Sequence, residues 1–148
     1  MTANDRTQTR AGQGVEGSGM NRDRARARTV AFGFGATHVA MCAVAVAAPA
    51  ACGRPWLGDG ASVPAARAAL RGLAIADALP AVLVVDAVVR DRPLRARLAV
   101  GVLGDLGRAI TALSARSHAP IGGNTVVMAA SLSGALIASS LLPYVDAT

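Results

Sequence analysis

The stretch Leu94–Ala115, LRARLAVGVLGDLGRAITALSA, decides the fold of this chain. It has the length of a bilayer-crossing helix, about 20 residues, and its large side chains are aliphatic. Near its middle stand Asp105 and Arg108, each costing roughly 2.5 to 3.5 kcal/mol at the centre of a bilayer. The seven Leu, Ile and Val between Leu98 and Leu113 return only about 2 to 4 kcal/mol in total. Such a helix inserts poorly alone and is expected to enter with partners. The short turn Arg90–Pro93 suggests a hairpin with the apolar segment before it.

At about 100° per residue, Gly101, Gly104, Asp105, Arg108, Ala112 and Ala115 fall on one side of this helix. Val102, Leu103, Leu106, Ile110 and Leu113 fall on the other. Small residues admit a second backbone, so the first side is expected to face a bundle and the second to face lipid. Asp105 and Arg108, three residues apart, can pair on the inner side.

Three further apolar stretches extend this pattern, giving four spans at about 29–50, 67–89, 94–115 and 122–142. Pro49, Gly53, Pro55, Gly58 and Gly60, with Trp56 among them, read as a turn-rich link between the first two, and Pro64 suits the first turn of the second. A link at His118–Gly123 separates the last two, and Pro143 with Tyr144 closes the final helix before a short tail, residues 144–148. The fold expected is an all-α, four-helix transmembrane bundle, preceded by a disordered basic tail over residues 1–28.

Composition agrees with this reading. The 148 residues are 53% hydrophobic and only 3% aromatic, so the apolar mass is Ala, Val and Leu. All 15 basic residues are Arg, and the formal net charge is +6. Arg22, Arg24, Arg26 and Arg28 form an alternating run without interleaved aromatics, expected to meet anionic lipid head groups and not nucleic acid. Arg90, Arg92, Arg95 and Arg97 lie on the same side by topology, whereas Arg54, Arg67 and Arg116 are spread over two loops on the other. Positively charged flanks stay inside, which places both termini in the cytoplasm of an inner-membrane protein. The segment Ala47–Cys52 has some features of a signal or lipoprotein cleavage box, but the basic run before it is long, the apolar run is span-length and Pro49 replaces the usual aliphatic.

Depth arithmetic brings several polar groups to one layer. From the cytoplasmic ends, Arg108 lies about 15 Å deep, Asp77 about 18 Å and His38 about 14 Å. Asn124, Met128, Ser131, Gly134 and Ala138 form a small and polar stripe on the last helix that could complete the lining, with Gly101, Gly104, Ser131 and Gly134 as packing positions. Ionisable groups inside a membrane mark ion paths or ligand pockets, yet an Asp–Arg network also fixes helix packing without carrying traffic. His38 and Cys42, four apart, supply only two neighbouring metal ligands, and no metal site or cofactor is expected. Asp86, one turn before Arg90, reads as a capping or snorkelling charge. Cys42 and Cys52 are separated by about 15 Å of helix, too far for a disulfide. Soluble catalytic templates are missing: there is no Gly-x-Ser-x-Gly, no phosphate-binding loop, no Cys-x-x-Cys and no His-Glu-x-x-His.

With four spans, Pro49 ending the first, Arg67-Ala-Ala-Leu-Arg71 entering the second and Asp105 in the third, the chain resembles a family of small bacterial four-helix membrane proteins of unknown function, distantly similar to DoxX-type proteins. Gly72 stands where that family has an Asp after Arg71. The resemblance implies architecture, and DoxX-type members that are redox-complex subunits add an oxidoreductase subunit as a third functional reading. The reading expected first is a structural or accessory membrane subunit, partnered by the bilayer and by a homo-oligomer or larger membrane complex, and the second a small proton, ion or solute transporter.

Overall fold

The computed structural model describes residues 3–114 and 121–146. The described residues form helices joined by short links: α1 Ala3–Ala47, α2 Pro49–Leu57, a 3₁₀ turn Gly58–Ser62, α3 Pro64–Val89, α4 Arg95–Ser114 and α5 Ile121–Leu141. Three of these, over Gly19–Ala47, Pro64–Val89 and Gly122–Leu141, are long and apolar enough to cross a membrane. Helix α4 is not among them. The two charges at its middle and the two arginines of its first turn hold its hydropathy down, so three of the four expected spans are apolar enough by composition alone.

Part of the segment expected as a tail is helical. Helix α1 runs without interruption through residues 19–28, and Ala27 and Ala31 are buried in the main apolar cluster. The alternation of Arg with small residues there suits a helix, because Ala at 25 and 27 costs nothing in propensity and the arginines diverge to two faces. At its other end α1 stops at Ala47. The link expected as turns is instead the short helix α2, with Pro49 in its first turn where a missing N–H costs nothing, followed by the 3₁₀ turn. Pro64 opens α3 in the same way.

The four long helices form two pairs. Helix α1 packs along α3, and α4 packs along α5, with less contact between α3 and α4. The hairpin expected between the second and third spans is thus a covalent neighbour but not the closest packing partner. Loop length brought them together in the reading of the sequence; packing is decided by the small faces of α4 and α5. Within the first pair, the crossing is tight at Gly35, where a Cβ would lie 3.1 Å from Val85 Cγ2 and 3.3 Å from the Ala81 carbonyl oxygen.

Burial is inverted relative to a water-soluble bundle. The buried apolar residues are mostly Ala, and only Leu94, Leu98 and Val145 are large and fully enclosed. Leu103, Ile110, Leu79, Ile75 and Leu136 are 62–72% exposed. A water-soluble bundle of this length places its large aliphatics inside.

One end of the bundle is tied by charge. The Arg28 guanidinium donates to the carbonyl oxygens of Ala87 (3.0 Å) and Arg92 (3.3 Å) and pairs with Asp91 at 3.0 Å. Asp91 occupies the left-handed region with φ 49°, a conformation Asp tolerates, as the turn between α3 and α4 requires. Asp86 pairs with Arg90 at 2.7 Å and with Arg92 at 3.4 Å. From the other terminus, the Asp146 carboxylate accepts the backbone N–H groups of Leu94 (3.0 Å) and Arg95 (2.9 Å) and so caps the first turn of α4. Arg28, the α3–α4 turn and Asp146 thereby meet at the same end of the molecule. Partial desolvation pushes the Asp146 carboxyl upward, but the two N–H donors and the Arg28 and Arg24 charges outweigh it and hold it below the ordinary carboxylate value.

A carboxyl lowered in the folded state stabilises above its unfolded value and loses that contribution as pH falls through its folded value. Asp146→Ala is therefore expected to lower stability by about 1 kcal/mol at neutral pH. In thermal unfolding of purified protein in detergent, the difference from wild type shrinks as pH is taken below the ordinary carboxylate range.

Candidate functional site

Two polar groups of the layer, Asp77 and Asp105, meet on Arg108, and His38 does not. Its Nη2 lies 2.7 Å from Asp105 Oδ1, one turn back on α4, and its Nη1 makes an ion pair with Asp77 Oδ1 on α3. Asp105 is 5% exposed, and the side chains of Arg108 and Asp77 are 24% and 26% exposed. The pairing within α4 follows from the i, i+3 spacing. The pairing with Asp77 follows from depth, because both helices meet the turn at Asp91 and their charges sit at comparable distances from it.

Each arm of the guanidinium thus reaches a different helix, in the geometry that its planar, always charged fork favours. Two carboxylates face one cation, so the cluster carries one surplus formal negative charge. No buried side-chain nitrogen or oxygen among the described residues lacks a hydrogen-bond partner.

Beside the cluster lies a cleft of about 30 Å³ between the two helix pairs. Phe34 and His38 line it from α1, Asp77 and Pro80 from α3, Gly101, Asp105 and Arg108 from α4, and Ala138 from α5. A space of that size is wide enough for water. His38 forms its own contact with Phe34, ring centroids 6.2 Å apart, and joins no ion pair among the described residues. Pro80 interrupts the hydrogen-bonding of α3 one turn after Asp77, since it has no N–H to offer the Ala76 carbonyl.

The expected packing positions divide. At Gly134 on α5, a Cβ would stand 2.5 Å from Asp105 Oδ2, so the lack of a side chain there is what admits the buried carboxylate. Ser131, one turn earlier, is 5% exposed. Gly101 borders the cleft with open space at its Cβ position. Gly104 is exposed, and a Cβ there would meet only Arg108 Nη2 at 3.8 Å, which corrects its assignment as a packing residue. Of the stripe on α5, Ser131, Gly134 and Ala138 are buried, while Asn124 donates to the Ala112 carbonyl oxygen at 2.6 Å and closes the end of α4.

The basic flank divides as well. Arg28 and Arg24 point to the α3–α4 turn, at 3.0 and 3.9 Å from Asp91, whereas Arg22 and Arg26 are exposed. Among the described residues no three His, Cys, Asp or Glu are placed to hold a metal ion, so His38 and Cys42 have no third ligand there. His118 and Arg116 lie outside the described residues. Arg71, noted in the sequence only through its motif, donates from Nε to the Val46 carbonyl oxygen at 3.1 Å and closes the end of α1. Its signal was the position one helical turn into an apolar segment that starts opposite the end of α1.

No family model matches the chain, and neither a curated protein nor a solved structure is significantly similar to it.

Gly134→Ala is expected to lose about 1 to 3 kcal/mol, because the new methyl must displace the Asp105 carboxylate. Gly104→Ala is expected to be neutral or to gain up to about 1 kcal/mol from helix propensity. Unfolding midpoints of the two variants in one detergent separate these outcomes.

Proposed function

We propose that this chain is a four-span integral membrane protein of the inner membrane, both termini cytoplasmic, acting as a structural or accessory subunit. In this reading the Asp77–Arg108–Asp105 cluster is the clamp between its two helix pairs. The observation that carries it is Arg108 joined at once to α3 and α4, where the packing between the pairs is sparse. Three apolar helices and large aliphatics exposed along all four long helices support the bilayer as the surrounding medium. Helix α4 crosses as part of the bundle, with Arg108 paired to Asp77 of α3 as well as to Asp105. The gathering of Arg28, the α3–α4 turn and Asp146 at one end supports the orientation, since that end carries the dense arginines. The resemblance to small four-helix bacterial membrane proteins belongs to the same proposal.

Breaking a buried charge cluster by removing one member is costly, about 3 to 5 kcal/mol, while replacing the whole set by neutral groups restores most of the loss. Arg108→Gln is thus expected to lower the amount of protein retained in alkali-washed membranes and the unfolding midpoint. Asp77→Asn/Asp105→Asn/Arg108→Gln is expected to recover both. Equal accumulation of wild type, single and triple variants would remove the clamp.

A second reading is favoured by one observation: two carboxylates share one guanidinium, and a bound proton or other small cation would neutralise the remainder. A transporter of that kind gives ion flux into liposomes that falls in Asp77→Asn. Flux equal to that of empty liposomes dismisses it.

A further inference from the structure

We propose that Arg22 and Arg26, on the outward face of α1, form a binding site for the head group of an anionic phospholipid. The inference rests on the membrane reading. It differs from a general attraction of the whole basic run, because the structure gives the four arginines two jobs. Arg24 and Arg28, one turn apart, face the α3–α4 turn and are engaged with Asp91 and, for Arg28, with the Ala87 carbonyl oxygen at 3.0 Å. Their charge is spent within the protein.

Arg22 and Arg26 are also one turn apart and lie about 200° round the helix from the first pair. Both are exposed, and neither has an ion-pair partner among the described residues. On the same face, one turn below Arg26, follows Val30, 49% exposed, so the two guanidinium groups stand at the head of the apolar segment of α1. Arg22 and Arg26 are about 6 Å apart along the axis, matching a head-group layer of about 5 to 7 Å on each side of the hydrocarbon.

An anion held there is therefore one whose acyl chains can run along the apolar segment from Val30 onward while its phosphate meets two planar donors, which is the form of a phospholipid. Asp23 lies between the two arginine faces and is exposed.

The test uses the full chain in nanodiscs containing equal amounts of phosphatidylglycerol and phosphatidylcholine, with lipids retained on the protein counted by native mass spectrometry. Unfolding midpoints are measured in each lipid alone. Wild type is expected to retain phosphatidylglycerol in excess. Arg22→Gln/Arg26→Gln is expected to lower that excess by about tenfold or more, from roughly fivefold per arginine at a membrane surface. Arg24→Gln/Arg28→Gln is expected to lower the midpoint in both lipids and keep the preference. A preference that survives in Arg22→Gln/Arg26→Gln, or that is absent in wild type, overturns the proposal while the membrane reading stands. Wild type that washes off membranes in alkali overturns the membrane reading itself.

Discussion

A single guanidinium organises the middle of this molecule. Arg108 sits between Asp105 of its own helix and Asp77 of another, and the two contacts together join α4 to α3. Without Asp77, Arg108 would hold only its neighbour one turn away, and nothing polar would join the two helix pairs at that depth. Without Arg108, two carboxylates would face each other across a narrow cleft. The local backbone follows from this arrangement: Gly134 has no side chain because Asp105 occupies its place, and Ser131 and Ala138 stay small on either side. The energetic case for α4 is likewise collective. A helix that scores poorly by itself becomes acceptable inside a bundle that supplies its counter-charge.

The ends of the molecule obey a different rule. There the task is to satisfy helix termini, and it is done by side chains from far along the chain. Arg28 covers carbonyls at the end of α3, Asp146 covers N–H groups at the start of α4, Arg71 covers the end of α1 and Asn124 the end of α4. Arg28 and Asp146 also draw the first and last helices to the α3–α4 turn, where the largest buried side chains, Leu94, Leu98 and Val145, are found. This end is packed in the ordinary way, large aliphatics inside. The middle is packed with alanines around a charge cluster.

Much of this was legible in the sequence, for identifiable reasons. Asp105 and Arg108 are three apart on one helix, so their pairing depends only on helix geometry, and the aliphatic side formed by Val102, Leu103, Leu106, Ile110 and Leu113 could be drawn on a wheel; the structure exposes the last four and packs Val102 against the core. Asp77 could be placed near Arg108 because both are counted from the same turn. The pairing of α4 with α5 could not, since short loops favour neighbours in sequence and the small faces of α5 offer no directional signal. Asp146 lies 52 residues from Leu94, and nothing local announces it as a cap. The division of the arginine run into an inner and an outer pair needed the knowledge that α1 continues through residue 28. With that, spacing by fours separates Arg24 and Arg28 from Arg22 and Arg26.

The central claim is that α4 lies within the bilayer although its hydropathy is low. Site-directed thiol labelling with a membrane-impermeant maleimide tests it most directly, in a background with Cys42 and Cys52 replaced by Ala. Asp91→Cys is predicted to label only after the membrane is opened, Asp59→Cys in intact cells, and Leu103→Cys and Ile110→Cys under neither condition. Labelling of Leu103→Cys and Ile110→Cys as readily as Asp91→Cys would place α4 in water and contradict the account.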